Sequence, residues 1–222
     1  MNILHLVLAA KNDHYLPIEK AVKQTWAKRS PKNIKTIFLY GGSDKIYWDN
    51  KKSFYVDKPE GKDICLYKTI LAFEQFLELD FDYVFRSNIT GYFDYKLINK
   101  FIESKSTEKF YCGFLGKVNG IDFASGSGYF LSKDLVVEII KNKDLLLSYG
   151  IPNGCDEGCD DVLVGKFITQ DLGIEIDSTA KRLDISPKDI SDDLDMSHYH
   201  YRILFKGDSD SLYKIYKLKN KK

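Results

Sequence analysis

Residues 83–88 read Tyr-Val-Phe-Arg-Ser-Asn, an apolar run that ends in a cation and two hydrogen-bonding side chains. A strand that delivers polar groups at its C-terminal end is the usual way an α/β protein presents ligand-binding groups. Arg86, Ser87 and Asn88 are therefore candidates for binding. Asp160 and Asp161 open a later segment as paired carboxylates. Neighbouring carboxylates raise each other's proton affinity, while a helix N-terminus lowers it. The macrodipole also favours acidic residues in a first turn, which is a purely structural reason for the pair. Between these two segments lies Ser125-Gly126-Ser127-Gly128-Tyr129. Glycine inside a strand marks close approach of a ligand or another backbone, and packing on the following helix accounts for it equally.

Other reactive side chains carry weaker signals. His198 and His200 alternate along a late segment and are expected to face one side. Together with Asn88 and water they would make a poor ligand set for a hard cation, and surface imidazoles are the alternative. Cys155 and Cys159 form a single C-x3-C without a second pair or a nearby histidine, which is weak evidence for zinc. The four cysteines are unclustered and expected as free thiols of a reducing compartment. Lys11, Lys23 and Lys68, each taken alone, read as solvated surface.

These residues need elements to hold them. Residues 2–10 form a continuous apolar run, as in a strand buried on both faces. Residues 16–29 follow as a helix with Pro17 in its first turn. Strands are expected at 35–42, 52–57 and 82–86. A helix capped by Asp63 carries Leu66, Ile70, Phe73 and Leu77 on one stripe. Another helix falls near 94–104. The order β-α-β-β-α-β-α predicts a mainly parallel sheet covered by helices. The second half is less regular, with strands at 109–116 and 122–132, a helix capped by Ser132, a helix over 159–172 and a strand over 197–205. The basic end, from Lys214, is expected as a frayed tail.

The chain has 222 residues, 44% hydrophobic and 29% charged, with net charge +1. It can bury a real core, and no basic field points to nucleic acid. No apolar run reaches membrane-spanning length and the N-terminus lacks a basic n-region. A soluble, cytoplasmic protein is expected, with the sequon Asn88-Ile89-Thr90 unglycosylated. No linker or repeat divides the sequence, so one domain over 1–222 is expected.

Four segments in order resemble motifs of the β-1,3-glycosyltransferase superfamily, the galactosyltransferase and fringe-like enzymes. Lys20-Ala21-Val22-Lys23-Gln24-Thr25-Trp26 matches the last seven positions of R-x-A-I-R-x-T-W. Ser125 through Ser132 matches S-G-x-G-Y-x-L-S, and Asp160 through Gly165 matches E-D-V-x-x-G. Arg86-Ser87-Asn88 stands where that family has an acidic D-D-D triplet. The resemblance covers residues 3–205 and implies a single GT-A domain, a Rossmann-like nucleotide-sugar fold. Its nucleotide-binding half would span about 1–105 and its acceptor half about 106–205, with the basic tail beyond.

The resemblance implies a hexosyltransferase moving a sugar from a nucleotide-sugar donor, carrying UDP, to a glycan hydroxyl with inversion. Asp161 corresponds to the general base, with Asp160 beside it and Asp156 and Glu157 in reserve. Ala9, Ala10 and Lys11 would border the nucleoside. Lys23 and Lys68, the latter matching L-T-L-K-T, would reach phosphate, and Ser125, Gly126, Ser127 and Gly128 would lie beside donor and acceptor. Mn²⁺ or Mg²⁺ would serve in that family, and a late histidine, His198 or His200, would help to hold it. The missing triplet leaves a second solution open, in which Arg86 meets the diphosphate in place of the metal. It equally leaves Arg86 paired with a neighbouring aspartate. A non-catalytic carbohydrate- or nucleotide-binding descendant, or an unrelated doubly wound binding protein, are the competing readings.

Overall fold

The computed structural model describes every residue except 29, 50, 153, 156–158, 205–207 and 222. Strand β1 (Ile3–Leu8) lies at the centre of a seven-stranded sheet. It is flanked in parallel by β2 (Ile34–Tyr40) and β5 (Tyr83–Asn88). β4 (Ser53–Tyr55) runs parallel to β2, and the short β3 (Tyr47–Trp48) closes that edge antiparallel to β4. On the other side β8 (Ile121–Ser132) runs antiparallel to β5, and β7 (Tyr111–Val118) antiparallel to β8. A second sheet orders β6 (Gly91–Phe93), β10 (His200–Ile203) and β9 (Arg182–Ile185). The mainly parallel first half and the mixed second half match the sequence pattern.

The strict two-residue period of a strand decides what each face sees. In β1, Ile3 and Val7 join one core while Leu4, Leu6 and Leu8 join the other. The first core is covered by α1 (Tyr15–Gln24), α3 (Tyr95–Ile102), α7 (Ser209–Asn220) and the small sheet. The second is covered by α2 (Cys65–Phe76), α4 (Lys133–Lys141), α5 (Lys143–Ser148) and α6 (Asp160–Lys166). In β5, Tyr83 and Phe85 face the first core and Val84 the second. Arg86 continues on the α6 side, and Ser87 turns back toward β1. One-residue alternation thus sends Arg86 and Ser87 to opposite faces of the sheet.

Several local expectations change. α1 stops at Gln24 rather than 29, and Thr25 Oγ1 donates to Ala21 O at 2.7 Å in the following turn. Asp63 does not cap α2, whose N-cap is Ile64 without a side-chain bond. Ser132 precedes α4 but its Oγ accepts the Phe110 N–H at 2.9 Å, tying β7 to β8 instead of capping. α3 does carry a side-chain cap, from Asp94 to the N–H groups of Lys96 and Leu97. β10 begins at His200, so His198 lies outside it. The basic end is α7, not a frayed tail. Asp208 caps it, and Leu212 and Ile215 bury one face against α1.

A buried imidazole lies among the aromatic rings of the first core. His5 Nδ1 is 2.8 Å from Tyr95 Oη and Nε2 is 2.7 Å from Ser87 Oγ, inside a cage of Trp26, Phe85, Phe93 and Tyr95. Burial pushes it down to about 3. Burial, with Arg182 and Arg202 adding to it, also holds His200 well below the ordinary histidine value. Both rings are neutral in the native state, whereas the unfolded chain protonates them below about pH 6.5. The unfolded state then binds more protons, so stability falls as pH drops below that value, by about 1.4 kcal/mol per pH unit for each ring. Asp160, raised by burial, takes up a proton over part of this range and offsets part of the loss. The urea midpoint is expected to fall steeply between about pH 6.5 and pH 4.5. His5→Asn should flatten that slope, and an unchanged slope would show that His5 titrates normally.

Candidate functional site

The C-terminal ends of β1 and β5, Ser125 to Ser127 within β8 and the start of α6 surround a cleft of about 760 Å³. Its floor is built on Arg86. This guanidinium is 1% exposed, and Nη2 lies 2.7 and 2.6 Å from the two oxygens of Asp160, itself 3% exposed. Nη1 donates to Asn88 Oδ1 at 3.1 Å and to the Gly126 carbonyl. Tyr129, its register partner on β8, places a ring 5.6 Å from the guanidinium carbon. Burial raises the Asp160 carboxyl to about 6, with Arg86 opposing the rise and Asp161 adding to it. Asp160 therefore remains ionised and paired at neutral pH.

Asp161 is placed differently. It is half-buried, lines the cleft, and its Oδ2 accepts the Gly126 N–H at 2.6 Å. Gly126 must be glycine for this geometry. A Cβ there would meet Arg86 Nη1 at 2.8 Å and Asp161 Oδ2 at 3.0 Å. Gly165 does the same for the helix that carries the carboxylates. A Cβ at that position would lie 2.3 Å from Phe123 Cβ, so α6 rests directly on β8. The two glycines thus allow an aspartate pair to approach a strand end closely, with one member held by the arginine and the other facing the cleft.

The expected binding residues divide into two groups. Ala9, Ala10, Lys68, Arg86, Asn88, Ser125, Gly126, Ser127, Asp160 and Asp161 all line the cleft. Lys68 is 2% exposed, donates to Ala9 O at 3.2 Å and pairs with Glu60 at 2.5 Å, so it is not the surface lysine its type suggests. The remainder lie elsewhere. Lys11 is exposed over the Tyr40 and Tyr55 rings. Lys23 pairs with Glu19 one turn back on α1. Ser87 bonds His5, and Gly128 lies against His200. Asp156 and Glu157 fall outside the described residues. Sequence reasoning missed Glu60, Cys65, Tyr15 and Arg202, which also line the cleft. None sits in a patterned motif, and each is brought there by a loop or element end.

Among the described residues, His198 and His200 belong to no group of three or more metal-ligating side chains. His200 is 1% exposed, packed on Phe93 with ring centroids 4.8 Å apart, and does not line the cleft. His198 lies 3.3 Å from Asp195. Asn88 Oδ1 and both Asp160 oxygens are taken by Arg86, so a divalent cation set among them would meet a buried guanidinium. Among the described residues no group of three or more His, Cys, Asp or Glu side chains is arranged to hold a metal ion. The described residues of the cleft do not fit the Mn²⁺ or Mg²⁺ that the motif resemblance implies. The four cysteines are unbridged. Among the described residues no helix is long and apolar enough to cross a membrane.

No family model matches the sequence and no curated protein matches it. Solved structures match in fold. A glycosyltransferase involved in the glycosylation of the major capsid of PBCV-1 superposes with a TM-score of 0.54 at 12% identity, over 97% of this chain and 99% of its own. The galactosyltransferase LgtC, solved with donor and acceptor sugar analogs, gives 0.48 at 10% identity over 96% and 95%. The apo form of GlyE from Streptococcus pneumoniae TIGR4 gives 0.47 at 15% identity, and this chain spans 44% of it. The architecture is the α/β GT-A fold.

Proposed function

We propose that a chain with this fold and this cleft is a glycosyltransferase. It would move a sugar from a nucleotide-sugar donor, UDP-linked, to a glycan hydroxyl with inversion. The observation that carries the reading is the division of labour between adjacent carboxylates. Asp160 is neutralised by Arg86, while Asp161 lines the cleft with Oδ2 accepting the Gly126 N–H and Oδ1 the Val162 N–H. A carboxylate held in this way can take the proton of an acceptor hydroxyl as it attacks the anomeric carbon. Ala9 and Ala10, small residues at the end of β1, leave room for the nucleoside in the same cleft.

Arg86 supports this chemistry by position. Its charge is offset by Asp160, so it fixes Asn88, Gly126 and Asp160 around the donor. That arrangement occupies the ground a carboxylate-held metal would need, and transfer is proposed to be metal-independent. The test is a panel of nucleotide sugars, each with Mn²⁺ and with EDTA, read by nucleotide release and by mass of the glycosylated product. One UDP-sugar is expected to turn over equally in both conditions. A strict requirement for Mn²⁺ would sink the metal-independent reading.

The Arg86–Asp160 pair also favours a second reading, a nucleotide- or carbohydrate-binding module that no longer transfers. Stabilisation by a nucleotide with neither transfer nor donor hydrolysis would select it.

A further inference from the structure

Charges at the cleft wall are matched in pairs, and among the described residues Arg202 is matched only in part. Lys68 is matched by Glu60, and Arg86 by Asp160. Lys62, also at the cleft, is engaged in an interaction of its own. Arg182, with a side chain only 4% exposed, takes both oxygens of Asp184: Nε lies 2.7 Å from Oδ1 and Nη2 3.1 Å from Oδ2. Its Nη1 donates to Ser127 Oγ at 2.9 Å, and its guanidinium stacks 3.6 Å over Phe114. Arg202 reaches the same carboxylate only through Nη1 at 3.2 Å, and its side chain is 45% exposed. One carboxylate cannot neutralise two guanidiniums, so Arg202 brings surplus positive charge to the cleft.

Its position suits an anion. Arg202 pairs with Gly91 in the small sheet, which seats it beside the chain leaving β5. Asn88 and Thr90 of that segment line the cleft with it. A guanidinium at a cleft wall recognises phosphate by charge-assisted, often bidentate hydrogen bonds. Among the described residues Asp161, set on α6, is in no salt bridge with a cation. The cleft therefore presents one anion-seeking and one proton-accepting group, with the neutral Arg86–Asp160 pair forming the floor.

We propose that Arg202 binds the diphosphate of the nucleotide and meets the charge that develops on it as the sugar leaves. The proposal rests on the glycosyl-transfer reading for the identity of the nucleotide, and on the charge balance alone for the anion site. Calorimetric titration of the full chain with inorganic pyrophosphate, UDP and uridine separates the two. Arg202→Gln is expected to weaken pyrophosphate and UDP by about ten- to a hundredfold and to leave uridine unchanged. Arg202→Lys, which keeps charge but not the fork, should restore part of the loss.

Equal weakening of uridine would mean a structural role and overturn the proposal. So would unchanged pyrophosphate and UDP affinity, or a wild-type chain that binds no pyrophosphate. An Arg202→Gln chain that binds UDP normally but loses only acceptors bearing a carboxylate or phosphate would assign Arg202 to the acceptor, again overturning it. Arg202-independent UDP binding with transfer intact would remove the anchor and leave the glycosyltransferase reading standing. Arg202-dependent pyrophosphate binding with no nucleotide sugar turned over would do the reverse.

Discussion

Replacing Asp161 by asparagine is expected to slow glycosyl transfer by about a hundred- to ten-thousandfold, the range by which a positioned base accelerates proton removal. The substitution keeps shape. The amide oxygen can still accept the Gly126 N–H that now reaches Asp161 Oδ2 at 2.6 Å. Nucleotide affinity should therefore stay near wild type, while kcat falls with little change in donor KM. Steady-state kinetics with the donor found in the panel, paired with calorimetry on UDP, make the comparison. Asp160→Asn gives the contrast. It leaves the buried Arg86 facing a neutral amide, so the melting temperature should drop as well as the rate. An Asp161→Asn chain that transfers at the wild-type rate would remove the carboxylate from the mechanism.

The largest stability effect is expected at Arg86. Replacing it with methionine strands the Asp160 carboxylate in a site with almost no solvent contact. Breaking a buried pair from one side costs about 3–5 kcal/mol, because the remaining charge is left uncompensated. For a chain of this size that is a fall of about ten degrees in melting temperature. Removing both charges at once, with Arg86→Met and Asp160→Leu, should recover most of the loss, since buried pairs are often replaceable by apolar residues of similar volume. The double-mutant cycle should be strongly non-additive. Additive losses would show that the two charges are solvated independently and that the floor of the cleft is not a closed pair.

How much of this was readable beforehand depends on the range of each interaction. Strands β1, β2 and β5 were legible because a run buried on both faces leaves a continuous apolar signature. Gly126 was legible as a point of close approach, although not what approaches it. The partner of Arg86 was not legible. Asp160 lies 74 positions further on, and nothing local distinguishes an arginine aimed at a ligand from one aimed at a carboxylate. Lys68 and Lys23 read alike in sequence, yet one is buried in the cleft and the other lies on the outside of α1. α7 was missed because its lysines drew the eye from the buried face of Ser211, Leu212 and Ile215. The failed caps at Asp63 and Ser132 show the limit of residue preference, since a serine that can cap can also brace a neighbouring strand.

The small sheet also imposes an order on assembly. β6 leaves the central sheet directly after β5, but its antiparallel neighbour, β10, is synthesised much later, after β7, β8 and β9. β1, β2, β4 and β5 with their helices can come together while a nascent chain is still growing, because their contacts are close in sequence. The wall that holds Arg202 cannot, since its loop closes only when β10 emerges. The carboxylates of α6 therefore exist for a time opposite an open edge, with the segment after β5 lacking its ladder partner. Such an edge is where a half-made chain is most exposed to wrong pairing. The step that shields this edge also completes the cleft, so a chain that has gained its cleft wall has already passed its most aggregation-prone stage.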